Sequence, residues 1–309
     1  MEKPYRDLAT YLKQKTGCKT VKLCLDGGFS CPNRDGSRAI GGCLFCGARG
    51  AGDFTLGSSL SIREQVRTRL AAPMGGRRAQ AYIAYFQNFS ATYAPLDVLR
   101  ARYDAALCDE RIVGLAVATR PDCINEEVAD LLASYAARMT VWVELGLQTA
   151  SDLTAARMNM ACKRQTFAYA TELLAARGVE SVAHMMVGLP GEGPAEARET
   201  LYMINESSVQ GVKIHSLYVM RGTPLADWWQ AGTYTPLSLE EYTETVAMLL
   251  AHLRPDIVVH RLTGDCPKDD LLAPLWTAEK HAVLDRIHAV MRARGWQQGC
   301  LYAERDKQA

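Results

Sequence analysis

The sequence predicts an α/β fold: a parallel sheet curved into a partial (β/α)6 TIM-like barrel, with a packed C-terminal α/β extension. Two observations carry this prediction. Six apolar, β-branched runs alternate with stretches of helical apolar spacing, and a cysteine-rich segment follows directly after the first run. Strands that alternate with helices pair in parallel through right-handed crossovers, and loops after such strands form the catalytic face of a barrel. A flat parallel sheet stays open as an alternative, because periodicity cannot separate the two shapes.

The six predicted strands are short and rich in β-branched residues, which is typical of strands buried on both faces. They cover Val21–Leu25, Ala81–Phe86, Ile112–Ala118, Val141–Leu147, Val182–Val187 and Val212–Met220. Helical apolar spacing lies between them, for example over Glu126–Ala137, Thr166–Ala176 and Ala195–Asn205. Asn125 is a suitable cap before the first of these helices, and Gly178 is a suitable stop after the second.

The last third of the chain has a different pattern. Leu239–Leu253 and Thr277–Arg294 are predicted helices, and Ile257–His260 is a predicted short strand between them. We expect this part to pack on the barrel rather than to form an independent domain.

Length and composition are those of a soluble globular protein. The 309 residues, 48% of them apolar, suffice for one large barrel or two ordinary domains. We divide the chain into a barrel over residues 1–222, with a cysteine loop at 26–53, and an extension over 223–309. No apolar run reaches the roughly 18 residues of a membrane helix, and no apolar stretch follows the charged start at 1–7. The sequence therefore predicts a cytoplasmic protein without a membrane partner.

The net charge of +1 gives no reason by itself to expect nucleic acid. The distribution is uneven, since residues 1–50 hold nine Lys and Arg against four Asp and Glu, whereas the remainder holds 26 against 30. A basic N-terminal segment could help to meet phosphates. A solvated surface explains it more simply.

The cysteine loop is the most informative segment. Cys31, Cys43 and Cys46 are spaced Cys-x11-Cys-x2-Cys, and five of the ten cysteines precede residue 50. In a reducing compartment, clustered cysteines indicate metal or redox chemistry rather than disulfides. Three thiolates on a [4Fe–4S] cluster leave one iron with an open position, which can bind a substrate. Phe45 beside the last thiol would shield such a cluster from water.

A zinc site is the alternative reading of the same cysteines. Zinc prefers four ligands at a closed tetrahedral site, and Cys18 or Cys24 could supply the fourth. Cys24, however, lies within the first predicted strand, where Leu23 and Leu25 point to the opposite face. The residues that flank the three cysteines favour the iron–sulfur interpretation.

Five segments together resemble one known family, over nearly the whole chain. They are CPNRDG with GGCLFC at 31–46, TRPDC at 119–123, VELGLQT at 143–149, HMMVGLPGE at 184–192 and HRLTGDCPKDDLLAPLW at 260–276. The chain resembles the YhcC/YtqA-like radical S-adenosylmethionine (SAM) proteins, whose barrel is related to that of the elongator catalytic subunit. The resemblance implies a radical SAM barrel. The gap between the first two cysteines is wider than in the common Cys-x3-Cys-x2-Cys pattern.

The resemblance implies roles for individual residues. Cys31, Cys43 and Cys46 match the ligands of the [4Fe–4S] cluster. The residues implied to contact SAM lie mostly at the ends of predicted strands and are Gln87, Asn88, Arg120, Asp122, Glu144, Gln148, Arg164 and Gly188. Each has a structural alternative. Arg120 could simply pair with Asp122, and Glu144 and Gln148 could cap hydrogen bonds of the barrel.

The sixth predicted strand carries candidate catalytic residues. Lys213 and His215 alternate with apolar residues and share a face, whereas Tyr218 points to the opposite face if the strand stays regular. A Lys-x-His pair that faces a barrel mouth suggests a role toward the substrate. His184, on the fifth predicted strand, is interpreted as structural.

The resemblance implies an enzyme that cleaves SAM to a 5′-deoxyadenosyl radical. Relatives imply a tRNA substrate and conversion of the wobble nucleoside 5-carboxymethylaminomethyluridine to 5-aminomethyluridine, with an electron donor such as flavodoxin or ferredoxin. Two alternatives stay open: a radical SAM enzyme that acts on a small metabolite or a protein, and a non-enzymatic zinc- or cluster-binding interaction protein.

Overall fold

The fold is built on one parallel sheet of seven strands, curled into an open half-barrel. The computed structural model describes residues 3–50, 52, 55–72 and 79–303. Parts of the predicted cysteine loop and the two ends of the chain thus lie outside the described residues. The predicted barrel is confirmed, and the flat-sheet alternative is wrong.

The strands follow one another across the sheet in chain order, as right-handed strand–helix units require. The order is β1-β2-β3-β4-β5-β6-β8, all parallel, and β7 pairs with β9 in a separate antiparallel ribbon. Their bounds are β1 Thr20–Leu25, β2 Ala81–Phe86, β3 Ile112–Thr119, β4 Thr140–Gln148, β5 Glu180–Val187, β6 Gly211–Ser216, β7 Val219–Met220, β8 Val258–Arg261 and β9 Leu271–Ala273.

Helices cover the outer face of the sheet. The predicted caps are found: the Asn125 side chain accepts a hydrogen bond from the Val128 N–H, and Gly178 adopts a φ of 68° after its helix. The bounds are α1 Leu8–Thr16, α2 Ile62–Ala71, α3 Leu96–Ala106, α4 Glu126–Ala136, α5 Asp152–Arg157, α6 Arg164–Ala175, α7 Pro194–Glu206, α8 Pro224–Gln230, α9 Leu239–His252 and α10 Lys280–Ala293. Among the described helices, none is long and apolar enough to cross a membrane.

Two predicted elements differ from the structure. The run Val212–Met220 is not one strand, because the chain leaves the sheet after Ser216, whose side-chain oxygen accepts a hydrogen bond from the Gly264 N–H at 2.7 Å. The last predicted helix begins at Lys280 rather than Thr277. A short 3-10 turn precedes it, in which the Thr277 hydroxyl donates to the Pro274 carbonyl.

Both faces of the sheet are apolar, but they are covered differently. The outer face packs on the helices, and every residue of β2 is buried. The inner face is closed at one end by α1, whose Leu12 packs against Ile83, Ala116, Trp142 and Val182. With that end closed, the inner face opens toward the carboxyl ends of the strands, where a cavity forms.

The C-terminal part is joined to the barrel by both sheet and core. β8 pairs in parallel with β6, and buried residues of α9 and α10, such as Val246 and Ile287, belong to the same apolar core as the barrel helices. This packing follows from the short apolar strand at 258–261, which completes the sheet edge. The division between residues 222 and 223 stays a prediction.

Candidate active site at the carboxyl ends of the strands

A cavity opens at the carboxyl ends of the strands, between the sheet and the cysteine loop. We name it the strand-end cavity. Of the predicted site residues, its wall contains Cys31, Cys43, Cys46, Gln87, Arg120, Glu144, Gln148, Lys213 and His215. Polar residues that were not predicted to belong to the site also line it, namely Arg34, Tyr85, Ser90, Thr119, Cys162, His184 and Tyr218.

The cysteine loop is held in shape by its own polar side chains. The Cys46 N–H donates to the Cys43 carbonyl at 2.9 Å, so the Cys-x2-Cys pair forms a tight turn. The Arg34 guanidinium donates to the carbonyl oxygens of Cys46 and Gly47, at 2.9 and 2.5 Å. These bonds fix the backbone that carries two of the three thiols.

A second loop supports the first from outside. The Asn159 amide donates to the carbonyls of Ile40 and Gly42, at 3.0 and 2.8 Å, and the Asn33 amide donates back to the Asn159 carbonyl. Asn159 has a φ of 53°, a left-handed conformation that asparagine tolerates better than most residues. The supporting role of Asn159 was not predicted from the sequence, because its partners Ile40 and Gly42 lie more than 110 positions away.

Neither cysteine that was predicted as a fourth zinc ligand lies in the cavity wall with the three thiols. Within the described ranges, no three His, Cys, Asp or Glu side chains stand ready to hold one metal ion. Cys24 packs against the Leu12 side of the sheet, and Cys18 contacts Thr16 and Thr20, so neither lies in the cavity wall. The fourth thiol in the wall is Cys162, which the sequence analysis had not singled out.

Arg120 does pair with Asp122, as the structural alternative expected. The two side chains form a bidentate ion pair, both bonds 2.8 Å long. The guanidinium also donates to the carbonyls of Met160 and Ala161, at 2.7 and 3.1 Å. Burial disfavours the charge, but the hydrogen bonds and charge of Asp122 outweigh it and raise the pKa of Arg120. Arg120 therefore presents a fixed positive charge to the cavity, and Asp122 orients it from behind.

Gln148 is held under backbone strain at the end of β4. Its φ is 64°, and a bulge at this point shifts the register with β5. A side chain at Gly146 would come within 2.9 Å of the Gln148 amide nitrogen, so the glycine leaves room for it. The Gln148 side-chain oxygen is buried without a hydrogen-bond partner among the described residues. A strained residue with an unsatisfied oxygen is typical of a ligand contact.

Tyr85, Glu144 and Lys213 form the floor of the cavity, and Lys22 meets the same carboxylate from outside the cavity wall. We name these four residues the buried charge cluster. The Glu144 carboxylate accepts from the Tyr85 hydroxyl at 2.5 Å, from Lys213 at 2.9 Å and from Lys22 at 3.2 Å. The Trp142 indole adds a fourth, longer bond of 3.4 Å. The residues come from β1, β2, β4 and β6, whose inward-facing side chains meet on the concave face.

Burial and charge pull the pKa values of this cluster in opposite directions. Burial would raise the pKa of Glu144, but the ammonium groups of Lys213 and Lys22 hold it well below its usual value. Burial lowers the pKa of Lys213 to about 8, although the Glu144 carboxylate acts to raise it. Burial and the neighbouring carboxylate raise the pKa of Tyr85 well above its usual value. Glu144 is therefore ionised.

Two histidines stand beside this cluster. The rings of His184 and His215 lie 5.2 Å apart between centroids. Burial lowers the pKa of both well below the usual histidine value. The charge of Lys213 adds to this effect at His184, and the neighbouring His184 adds to it at His215, so both are neutral. Nε2 of His184 and Nδ1 of His215 are buried without a partner in the described structure. His184, interpreted as structural, thus lines the same cavity as His215.

Tyr218 lies on the cavity side, and the expectation that it points away is wrong. Because β6 ends at Ser216, the alternation of a regular strand does not reach Tyr218. Its ring lies 5.7 Å from that of His215, and its hydroxyl donates to the Asp265 carbonyl at 3.0 Å.

Four predicted contacts lie outside the cavity wall, and one of them is Asp122, which holds Arg120 from behind. Asn88 is buried behind it and donates to the Thr55 hydroxyl at 3.4 Å. Arg164 begins α6 and lines a separate groove on the outer surface. Gly188 follows β5 with a φ of 96°, and its carbonyl accepts from the Tyr234 hydroxyl. Their roles toward a cofactor stay predictions.

Comparison with known proteins identifies the family. The Radical SAM superfamily model matches residues 32–204, more than half of the chain, and the Radical_SAM C-terminal domain model matches residues 209–293. Protein YtqA of Bacillus subtilis is 37% identical over 311 residues, which cover 100% of this chain and 96% of that protein. Protein YhcC of Escherichia coli is 39% identical over 295 residues, which cover 94% of this chain and 93% of that protein.

More distant similarity covers only part of the length of each relative. The tRNA uridine(34) acetyltransferase of Dehalococcoides mccartyi is 28% identical over 194 residues, 62% of this chain and 41% of that protein. The solved structure of Elp3 from Methanocaldococcus infernus superimposes with a TM-score of 0.68 at 16% identity, over 90% of this chain. This chain spans 64% of the length of that structure. Because the identity is low, the likeness shows the fold. The chain belongs to the radical SAM superfamily, alongside YtqA and YhcC, and is an enzyme whose cofactors are SAM and a [4Fe–4S] cluster.

Proposed function

We propose that Cys31, Cys43 and Cys46 hold the [4Fe–4S] cluster and that SAM lies between this cluster and the sheet. The supporting observation is that all three cysteines line one cavity together with polar strand-end residues, among which Gln148 has a side-chain oxygen without a hydrogen-bond partner in the described structure. Cys18 and Cys24 do not share that wall. When bound, the cofactor pair supplies a 5′-deoxyadenosyl radical that abstracts hydrogen from an unactivated carbon.

The chain's own residues bind the cofactor and exclude water. We assign Gln87, Arg120 and Gln148 to contacts with SAM, because they line the wall and carry polar groups directed at one cavity. Asn88 and Asp122 support this wall from behind. Apolar side chains close the remaining wall, and dry surroundings protect a radical from side reactions; these are Phe45, Leu147, Met160 and Met186.

For the substrate we propose tRNA, with 5-carboxymethylaminomethyluridine at the wobble position converted to 5-aminomethyluridine. The similarity to a tRNA uridine(34) acetyltransferase, and the Elp3-like fold over 90% of the chain, support a nucleoside of tRNA. Exposed basic residues of the cysteine loop, such as Arg38, supply positive charge near the cluster. Flavodoxin or ferredoxin would supply the electron. Cysteines without any disulfide in the described structure, and an oxygen-sensitive cluster, favour the cytoplasm.

The cofactor assignment is tested by anaerobic iron–sulfur reconstitution and SAM cleavage with dithionite. Wild type should form 5′-deoxyadenosine, and Cys43→Ala should lose the cluster absorbance and the product. Cys18→Ala is the matched control, because it removes a thiol from the same N-terminal region but outside the cavity wall. Zinc in place of iron after reconstitution, or no 5′-deoxyadenosine from protein that does hold a full cluster, would instead support the interaction-protein alternative.

The substrate assignment is tested by nucleoside mass spectrometry of tRNA. A strain that lacks the gene should accumulate 5-carboxymethylaminomethyluridine and lose 5-aminomethyluridine and nucleosides made from it. Complementation with wild type should restore them, and with Cys43→Ala should not. An unchanged profile would remove this substrate and leave the small-metabolite or protein alternative.

A further inference from the structure

The buried charge cluster has one positive charge too many. Lys22 and Lys213 share the single carboxylate of Glu144, and no other carboxylate of the described structure pairs with either lysine. The nearby Asp265 is already paired with Arg261 and Lys280, at 2.6 and 2.5 Å. A buried ammonium without a full counter-charge is costly. An anion that enters from outside the chain would remove this cost.

Unused hydrogen-bonding capacity lies at the same place. An ammonium has three donors. Lys213 donates to Glu144 at 2.9 Å and to Tyr85 at 3.3 Å, and no third acceptor is found in the part of the chain that the structure describes. His184 and His215 each contribute a buried ring nitrogen without a partner. All three side chains line the strand-end cavity. Lys213 and His215 are at least nine-tenths buried, and His184 is partly exposed.

We propose that Lys213, His184 and His215 form a subsite for a carboxylate of the substrate. The identity of this carboxylate rests on the proposed function, in which it belongs to the carboxymethylaminomethyl group. A carboxylate is planar, small and able to accept about four hydrogen bonds, which matches the three converging groups. A backbone phosphodiester of tRNA would bring two flanking nucleosides with it, and these do not fit a buried floor.

SAM also carries a carboxylate, so the subsite has two conceivable sources of the same anion. The three cysteines lie on the loop after β1, whereas Lys213 and His215 project from β6, on the sheet side of the cavity. A three-thiolate cluster would leave one iron open on the loop side, and in the proposed function SAM would lie against it there. The subsite on β6 is therefore assigned to the substrate.

The test compares a carboxylate with its neutral isostere in two variants. Lys213→Gln removes the ammonium that faces the cavity. Lys22→Gln is the matched control, since it removes the other ammonium from the same carboxylate, and Lys22 lines a groove on another side of the sheet. Each reconstituted enzyme is assayed on tRNA that carries 5-carboxymethylaminomethyluridine and on the corresponding carboxamide. Substrate-free formation of 5′-deoxyadenosine is measured as a function of SAM.

We expect wild type and Lys22→Gln to prefer the carboxylate, and Lys213→Gln to lose about 10- to 100-fold of that preference in kcat/KM. The KM for SAM in the substrate-free reaction should stay the same, whereas a raised KM would place the carboxylate of SAM at Lys213 and overturn the proposal. An equal preference in Lys213→Gln and wild type would overturn it as well.

A second measurement separates this inference from the proposed function and needs no variant to fold. N-methylglycine and its amide are titrated into reconstituted, SAM-loaded wild type by calorimetry. Tighter binding of the carboxylate, together with no turnover of either tRNA, would support the subsite and reject the tRNA substrate. Turnover of tRNA without a carboxylate preference would reject the subsite alone. No turnover and no carboxylate preference in calorimetry would reject both.

Discussion

At the scale of single residues, Glu144 is the side chain on which the cavity floor depends. It takes four hydrogen bonds and balances part of the charge of two lysines, while only 2% of its surface is exposed. The resemblance implied a contact with SAM, and Glu144 does line the cavity. Its carboxylate oxygens are already saturated by donors of the chain. Its main physical effect is to keep Lys213 in place and charged.

Replacement of Glu144 by glutamine should therefore destabilise the protein strongly. The change leaves Lys22 and Lys213 close together without a counter-charge, which costs about 3–5 kcal/mol for a buried pair. Urea denaturation followed by circular dichroism measures the effect. Glu180→Gln is the control, because Glu180 pairs with Lys15 at a partly exposed site, where such a pair contributes about 1 kcal/mol or less. Equal losses for the two variants would contradict the role assigned to Glu144.

At the scale of elements, the cysteine loop depends on its neighbour after α5. The loop has no regular strand or helix over 26–50, and its Leu44 and Phe45 pack on an apolar cluster outside the loop. Its shape comes instead from backbone carbonyls that accept from Arg34 and from Asn159. A loop without a core of its own needs such bonds to hold its thiols at fixed positions.

Loss of the Asn159 amide should weaken cluster retention rather than folding. Asn159→Gly keeps the left-handed backbone accessible but removes both hydrogen bonds to the loop, so we expect a several-fold faster loss of iron to a chelator. Asn159→Ala should do the same with added backbone strain. Iron content and visible absorbance over time measure the effect, and Asn125→Gly, at a distant helix cap, is the control. Wild-type iron retention in Asn159→Gly would show that the loop does not need this support.

At the scale of the whole molecule, the inner face of the half-barrel concentrates buried histidines. His184, His215 and His260 come from β5, β6 and β8, and burial lowers the pKa of each, that of His260 to about 3. The unfolded chain binds protons at these histidines near pH 6.5, whereas the folded protein does not. Stability therefore falls as pH decreases below about 6.5, and each histidine contributes up to about 1.4 kcal/mol per pH unit.

We expect the free energy of unfolding to drop between pH 7.5 and pH 5. His260→Phe should reduce the slope of this free energy against pH by the amount that corresponds to about one bound proton. Phenylalanine preserves an aromatic ring against Trp142, whose ring centroid lies 5.5 Å away. Urea denaturation at pH 7.5, 6.0 and 5.0 measures both slopes. His281→Phe, on the exposed face of α10, should leave the slope as in wild type. A slope that His260→Phe does not change would show that this histidine titrates equally in both states.

The sequence by itself determined what is local. Apolar runs predicted each strand of the half-barrel, since strand formation depends on neighbouring residues, and three cysteines within sixteen positions indicated the cluster chemistry. Only the tertiary structure decided which distant side chains meet. Lys22 and Lys213 reach Glu144 across 122 and 69 positions, because parallel strands direct alternate side chains to one concave face. The end of β6 at Ser216, which turns Tyr218 toward the cavity, depends in the same way on Gly264, 48 positions away, and no periodicity in the sequence contains that contact.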